Sequence, residues 1–146
     1  MKKLKIYRTR PDIGILILRI SLGGLMLFHG VDKITNGIDF IYESLSIKGL
    51  PLIIANGVYI GELIVPLAIL FGFYVRFSSF IFSINMLFSI WLIYFEKVMT
   101  LTQHGGWIIE LNVMFLLGGV TLFFTGGGKY SIEKLLNIRN KTLKDN

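Results

Sequence analysis

The residues of this sequence that could do chemistry are few, and most of them interrupt long apolar segments. The segment 12–33 is long enough to cross a bilayer, which takes about 20 mostly apolar residues. It nevertheless contains Arg19 near its middle and His29 and Lys33 at its far end. A charged side chain within a bilayer is costly, so it usually faces the protein interior and has a partner there. The other polar residues that interrupt or border apolar segments are Glu62, Asn85, His104 and Glu110.

Three of these residues are expected to meet at a level near the middle of the bilayer. With a rise of about 1.5 Å per residue, Arg19 lies roughly 10 Å and Asn85 roughly 12 Å from one edge of the bilayer. Glu62 lies near the middle when it is counted from the opposite edge. An Arg19–Glu62 ion pair with Asn85 as a hydrogen-bond partner would satisfy all three. Such a pair would either fix the register of the helices or form the charged floor of a ligand cavity or proton path.

A second polar level is expected near the other face of the membrane. The same count places His29 and Glu110 roughly 5 Å below that face, with Lys33 and His104 at its rim. A metal site needs three or four ligands; His29, His104 and Glu110 could supply three, but Lys33 argues against a cation, and no metal is predicted. Proton exchange between His29 or Glu110 and a bound carbonyl or hydroxyl compound fits better. Ordinary interfacial polarity is the alternative.

The elements that must position these residues are apolar helices. Hydrophobic residues make up 53% of the 146 residues and charged residues 16%, which is typical of a protein that crosses a membrane several times. Five residues of the first helix follow one another at spacings of 4, 3, 4 and 3, which places them on one helix face. They are Arg19, Gly23, Met26, Gly30 and Lys33. The predicted helices span 12–33, 52–73, 77–95 and 107–125, with a short interfacial helix within 38–47.

The charge pattern predicts the topology. The net charge is +6, but the basic residues cluster at the chain ends beside apolar segments, which favours membrane topology over nucleic-acid binding. The positive-inside rule then places both termini in the cytoplasm, and short connections predict one domain over 1–146. This domain would be an all-α, up-down-up-down four-helix bundle with a cytoplasmic tail at 126–146. The basic residues that carry this prediction are Lys2, Lys3, Lys5, Arg8, Arg10, Arg76, Lys129, Lys134, Arg139, Lys141 and Lys144.

The order of the motifs resembles the DoxX family of membrane proteins. The segment 18–34, L-R-I-S-L-G-G-L-M-L-F-H-G-V-D-K-I, is similar to the opening of that family, and K-G-L-P follows at 48–51. The block 61–77 with Glu62, the G-G-W-I-I-E start at 105–110 and G-G-G-K-Y-S at 126–131 also resemble family motifs. The sequence departs from the pattern at Gly127, Lys129 and Pro66. Of these, Pro66 bears on the cavity beside Glu62.

The resemblance implies a protein of the bacterial inner membrane that is linked to redox metabolism. It suggests a subunit of a quinone-linked oxidoreductase complex, with the head of a quinone or a similar lipid-soluble molecule among His29, Lys33, His104 and Glu110. Because the chain has no cysteine and no flavin fingerprint, it has no intrinsic cofactor by this interpretation. Electrons would then come from a redox partner protein or from the ligand. The alternatives are a transport or binding protein for a small molecule or protons, and a structural membrane adaptor.

Overall fold

The computed structural model describes residues 10–137, and that part of the chain is built from helices. A single antiparallel bridge between Leu101 and Trp107 is its only extended pairing. A short helical stretch at 132–137 follows the last long helix. The helices are α1 (Pro11–Asn36), α2 (Asp39–Ile47), α3 (Leu52–Phe71), α4 (Val75–Lys97) and α5 (Glu110–Thr125).

Three of these helices, α1, α3 and α4, are long and apolar enough to cross a membrane. Helix α5 is apolar but shorter; its 16 residues extend about 24 Å. Large apolar side chains on the outside of the helices are strongly exposed, as at Phe28 (75%) and Phe124 (72%). Such side chains are stable next to lipid. The prediction of an all-α membrane protein is therefore confirmed, with three to four apolar helices among residues 10–137, whereas the up-down-up-down arrangement of four spans stays a prediction.

The helix boundaries differ from the predicted ones where glycine and loop geometry decide them. Helix α3 ends at Phe71 rather than at 73, because Gly72 adopts a left-handed conformation (φ +77°). In this conformation, the N–H groups of Gly72 and Phe73 both donate to the carbonyl of Ala68 and end the helix. Helix α5 begins at Glu110 rather than at 107, since the preceding residues form the loop that contains the Leu101–Trp107 bridge.

The interior face predicted for α1 is confirmed at four of its five positions. Arg19, Gly23, Met26 and Gly30 are buried. The two glycines allow close approach to α3: a Cβ at Gly23 would overlap the Pro66 carbonyl oxygen, and one at Gly30 would overlap that of Glu62. At these two positions, the backbones of α1 and α3 therefore approach each other closely.

Two apolar clusters form the core. The larger one joins α1, α3, α4 and α5 and consists of Leu22, Met26, Val65, Ile69, Val75, Phe82, Met86, Phe115 and Leu122. The smaller one holds α2 against α3 and α4 and consists of Ile38, Ile41, Leu45, Ala55, Val58 and Leu92. The short helix predicted within 38–47 is thus present, and its buried face binds it to the ends of two long helices.

The prediction that both termini lie in the cytoplasm depends largely on basic residues at 2–8 and 139–144, which lie outside the described residues. At the C-terminal side of α5, the glycine run ends the helix as expected, with Gly126 at φ +74°. Ser131 caps the helical stretch that follows, because its Oγ accepts a hydrogen bond from the Lys134 N–H at 3.3 Å.

Candidate ligand-binding cavity

A cavity of about 470 Å³ lies between the long helices at the end that α2 covers. Its wall is mostly apolar, with side chains such as Met26, Phe88 and Phe115. A volume of a few hundred cubic ångströms with a mostly apolar wall and a few polar groups is the usual form of a small-molecule site. The polar side chains of the wall are His29, Lys33, Glu62, Asn85, Ser89, Tyr94 and Asn112.

Helix α2 and the start of α3 cover one end of this cavity. Phe40 and Ile41 of α2 and Ala55 of α3 belong to its wall, and Ile41 and Ala55 are fixed there by the smaller apolar cluster. Other wall residues reach the outside of the helices: Ile60, Ile84 and Leu111 are 50%, 48% and 51% exposed. Since these positions lie on the sides of apolar helices, apolar surface borders this side of the cavity.

The charged group of the cavity is an ion pair between α1 and α3. Lys33 Nζ lies 2.9 Å from Glu62 Oε2, and the two side chains are only 12% and 11% exposed. The same ammonium lies 5.6 Å from the centre of the Phe40 ring, a cation–π distance. Removing one partner of a buried pair leaves an uncompensated charge, at a cost of about 3–5 kcal/mol. The pair is therefore held together inside the cavity.

The helix backbone is irregular at Glu62. Pro66 has no N–H, so it cannot bond the Glu62 carbonyl four residues earlier. The chain at Ile60–Ile64 instead makes a wider π-helical turn, in which the Val65 N–H donates to the Ile60 carbonyl. Such single π turns inside α-helices occur often at functional sites. The predicted effect of Pro66 on the helix beside Glu62 thus takes the form of a π turn, and the Glu62 carbonyl faces Gly30.

Asn85 of α4 completes the polar part of the wall opposite this turn. Its amide lies against Gly61, where a Cβ would overlap it. The Nδ2 atom of Asn85 is fully buried and has no hydrogen-bond partner among residues 10–137. A second amide in the wall is satisfied: Asn112 Nδ2 donates to Ser89 Oγ at 3.3 Å. The cavity therefore contains one paired and one unpaired amide.

His29 lies at the edge of the cavity. Its ring packs edge-on against Phe115 of α5, with the ring centres 6.1 Å apart, and the residue as a whole is exposed. Although α1 presents it close to Lys33 along one side of the helix, no hydrogen bond of its ring is present among the described residues. His29 can therefore contact a molecule that enters the cavity from the side.

The predicted Arg19–Glu62 ion pair is wrong. Arg19 is buried (1% exposed) and donates hydrogen bonds to four backbone carbonyls. Nε and Nη2 donate to Ile69 and Leu70 at 2.9 and 2.8 Å, and Nη1 donates to Gly127 and Tyr130 at 2.9 and 3.1 Å. The last carbonyls of a helix lack partners and carry partial negative charge. Arg19 therefore caps the end of α3 and ties it to the segment after α5.

The predicted meeting of His104 and Glu110 with His29 and Lys33 is also wrong. Both residues are exposed and neither belongs to the cavity wall. Because α5 begins at Glu110, the carboxylate of that residue folds back over its own helix start and accepts a hydrogen bond from the Trp107 N–H at 3.2 Å. Among the residues that the structure describes, no group of three His, Asp or Glu side chains is placed to hold a metal ion.

The sequence analysis thus located four of the seven polar wall residues and gave Glu62 the wrong partner. It did not assign Ser89, Tyr94 and Asn112 to a site. Ser89 and Asn112 are polar residues within apolar helices, and that is the signal that could have found them. The apolar members of the wall, such as Phe40 and Phe115, gave no such signal, because aromatic residues are common on all faces of these helices.

Comparison with known proteins matches a recognised family over most of the cavity wall. The family model described as DoxX matches residues 14–95, which is more than half of the chain and includes His29, Lys33, Glu62 and Asn85. A protein of Escherichia coli (strain K12) named "Inner membrane protein YqjF" is 32% identical over 152 aligned residues. That alignment covers 94% of the chain and 98% of the relative. No solved structure matches the chain.

Proposed function

The chain belongs to the DoxX family, and we propose that it binds a lipid-soluble small molecule in the cavity between its helices, as a subunit of a quinone-linked oxidoreductase complex. In this proposal it is an inner-membrane protein with four spans in up-down-up-down order and both termini in the cytoplasm. The name of the E. coli relative supports the location. The distribution of basic residues supports the orientation.

The observation that carries the proposal is a mostly apolar cavity with an ion pair inside it. Helices that were only structural would pack to the density of a protein interior, whereas about 470 Å³ is left between these. The polar groups, Lys33, Glu62 and Asn85, are concentrated in one region of a mostly apolar wall. Such a wall suits an amphiphile whose polar head lies near the ion pair.

The route of entry also favours a lipid-soluble molecule. Helix α2 covers one end of the cavity, while the wall residues Ile60, Ile84 and Leu111 reach the sides of the helices. A molecule dissolved in the bilayer can therefore reach the ion pair without first crossing an aqueous region. A quinone has this chemistry, since it joins a carbonyl-bearing ring to an apolar tail, and bound here it would supply the redox reaction.

The residues of this chain would bind and orient such a molecule. Lys33, held by Glu62 at 2.9 Å, presents its remaining N–H groups near the Phe40 ring. His29 at the cavity edge can donate or accept a proton as the molecule enters or leaves. Electrons would come from a partner subunit, because neither histidine nor any carboxylate in this wall is a redox centre.

A continuous transport path is less favoured by the same geometry. Arg19, the other charged residue on the interior face of α1, is fully engaged by four backbone carbonyls. Along α1, Leu22 and Met26 of the larger apolar cluster lie between Arg19 and the ion-paired Lys33. The arrangement supports a site that is closed toward the Arg19 end rather than a channel.

The test is native mass spectrometry, with organic extraction of bound lipids, on protein purified from membranes in mild detergent. We expect a stoichiometric quinone or similar amphiphile that is lost in Glu62→Gln and Lys33→Met. The matched control is Glu110→Gln, which makes the same change at an exposed carboxylate outside the wall and should retain the molecule. Protein that carries no small molecule but co-purifies with another protein would refute binding and favour an adaptor.

A further inference from the structure

One residue of the cavity wall is not explained by packing or by the ion pair. Asn85 Nδ2 is buried without a partner, and buried polar groups in proteins are nearly always hydrogen-bonded. An unsatisfied buried N–H lowers stability, and apolar residues such as Phe82 and Met86 are buried on the same helix. A leucine would have a similar size and no unpaired polar group. Residues 10–137 supply no hydrogen-bond partner for the Asn85 Nδ2 atom.

The ion pair and the second amide of the wall already have partners. Lys33 and Glu62 neutralise each other at 2.9 Å, and Asn112 donates to Ser89. Within residues 10–137, the fully buried side-chain nitrogen and oxygen atoms without a partner are Asn85 Nδ2 and Ser79 Oγ. Of these two residues, only Asn85 belongs to the cavity wall.

We propose that Asn85 determines which molecules the cavity accepts, by hydrogen bonding to an uncharged oxygen-bearing head group, either a carbonyl or a hydroxyl. This inference rests on the proposed function of the cavity as a binding site. An amide offers a donor at Nδ2 and an acceptor at Oδ1. Because Nδ2 is fully buried in this structure, a half-turn about the last side-chain bond is needed to exchange the two ends and bring the donor to the cavity. Gly61 leaves room for the amide beside α3. The same residue can thus donate to a carbonyl oxygen or accept from a hydroxyl.

The ion pair makes the head group an uncharged one. With Lys33 already bound to Glu62, a carboxylate head would meet a carboxylate of the same charge and would have to separate the pair. Desolvating such an anion beside Glu62 is unfavourable. A hydrocarbon without a head group would leave the Asn85 amide unpaired. The cavity is therefore expected to distinguish ligands by their head group rather than by their apolar tail.

The experiment compares three probes of similar chain length in detergent-purified protein: a decyl-substituted benzoquinone, decanoate and decylbenzene. Equilibrium binding and the melting temperature of the unliganded protein are measured for the unmodified chain and for Asn85→Leu. We expect the unmodified chain to bind the quinone at least tenfold more tightly than either other probe. Asn85→Leu should reduce that preference to about twofold or less, with an unchanged or higher melting temperature.

The control variant is Ser79→Ala, which removes the other fully buried side-chain atom without a partner among residues 10–137 and lies on the same helix outside the cavity wall. It should keep the preference for the quinone, with an unchanged or higher melting temperature. If Asn85→Leu kept the preference, Asn85 would be structural and the inference would be wrong, while the binding function would stand. Tightest binding of decanoate would overturn the inference in the same way. Failure of the unmodified chain to bind any probe would refute the binding function, and this inference with it.

Discussion

Replacing Arg19 is expected to destabilise the protein strongly and independently of Glu62. Arg19→Leu removes a cation that donates four hydrogen bonds to backbone carbonyls. A hydrogen bond to a charged group contributes about 1.5–3 kcal/mol, which gives roughly 6–12 kcal/mol before the cost of burying the guanidinium is subtracted. Because that desolvation offsets a large part of the sum, we expect a net loss of about 3–5 kcal/mol. Arg19→Lys keeps the charge on a single nitrogen with three donors, and about half of the loss should remain.

The measurement is the free energy of unfolding in mixed micelles with increasing denaturing detergent. A double-mutant cycle of Arg19→Leu with Glu62→Gln should give a coupling energy below about 0.5 kcal/mol, since the two residues share no partner. The parallel cycle of Lys33→Met with Glu62→Gln should give at least about 1 kcal/mol, because these side chains are in contact at 2.9 Å. A large Arg19–Glu62 coupling with a small Lys33–Glu62 coupling would show that the ion pairing described here is incorrect.

Further substitutions test the geometry of the individual contacts. Gly30→Ala places a Cβ against the Glu62 carbonyl and the Leu63 side chain and should lower the unfolding free energy by more than about 2 kcal/mol. Gly24→Ala, on the same helix with open space around it, should be neutral or slightly stabilising in the same unfolding assay. Ser131→Ala removes the acceptor for the Lys134 N–H and should lower stability by about 1 kcal/mol. Glu110→Ala removes the acceptor of the Trp107 N–H and should increase hydrogen exchange at that amide. It should not change the shift in melting temperature that ligand binding produces.

The sequence predicted well those features that depend on periodicity. The spacing of Arg19, Gly23, Met26 and Gly30 identified the buried face of α1, because helical repeats are a property of the sequence itself. Depth counting was less successful. It brought Arg19 and Glu62 to a similar level, but it took no account of backbone carbonyls as partners. The carbonyls at the end of α3 attract a cation whatever side chains occupy those positions.

Local helix geometry explains the remaining differences. A fixed rise per residue assigned Lys33 to the rim, whereas its long side chain reaches Glu62 across the α1–α3 contact that Gly30 makes possible. Glu110 was expected inside the bundle because its helix was predicted to begin at 107. With the helix starting at Glu110 itself, the carboxylate satisfies the first turn instead. Shifts of a few residues at a helix end therefore moved one acidic residue out of the site.

The hydrogen bonds of Arg19 also have a consequence for the order in which the protein is made. Chains are synthesised from the N-terminus at about 5–20 residues per second, so α1 reaches the bilayer long before its partners exist. The acceptors at Ile69 and Leu70 become available when α3 has been made, and those at Gly127 and Tyr130 only after α5. Until then, the guanidinium must be satisfied by water, by lipid or by the insertion machinery. The segment after α5 thus supplies the last two hydrogen-bond acceptors for Arg19 of the first helix. A chain that stops before Gly127 would supply only the acceptors at Ile69 and Leu70.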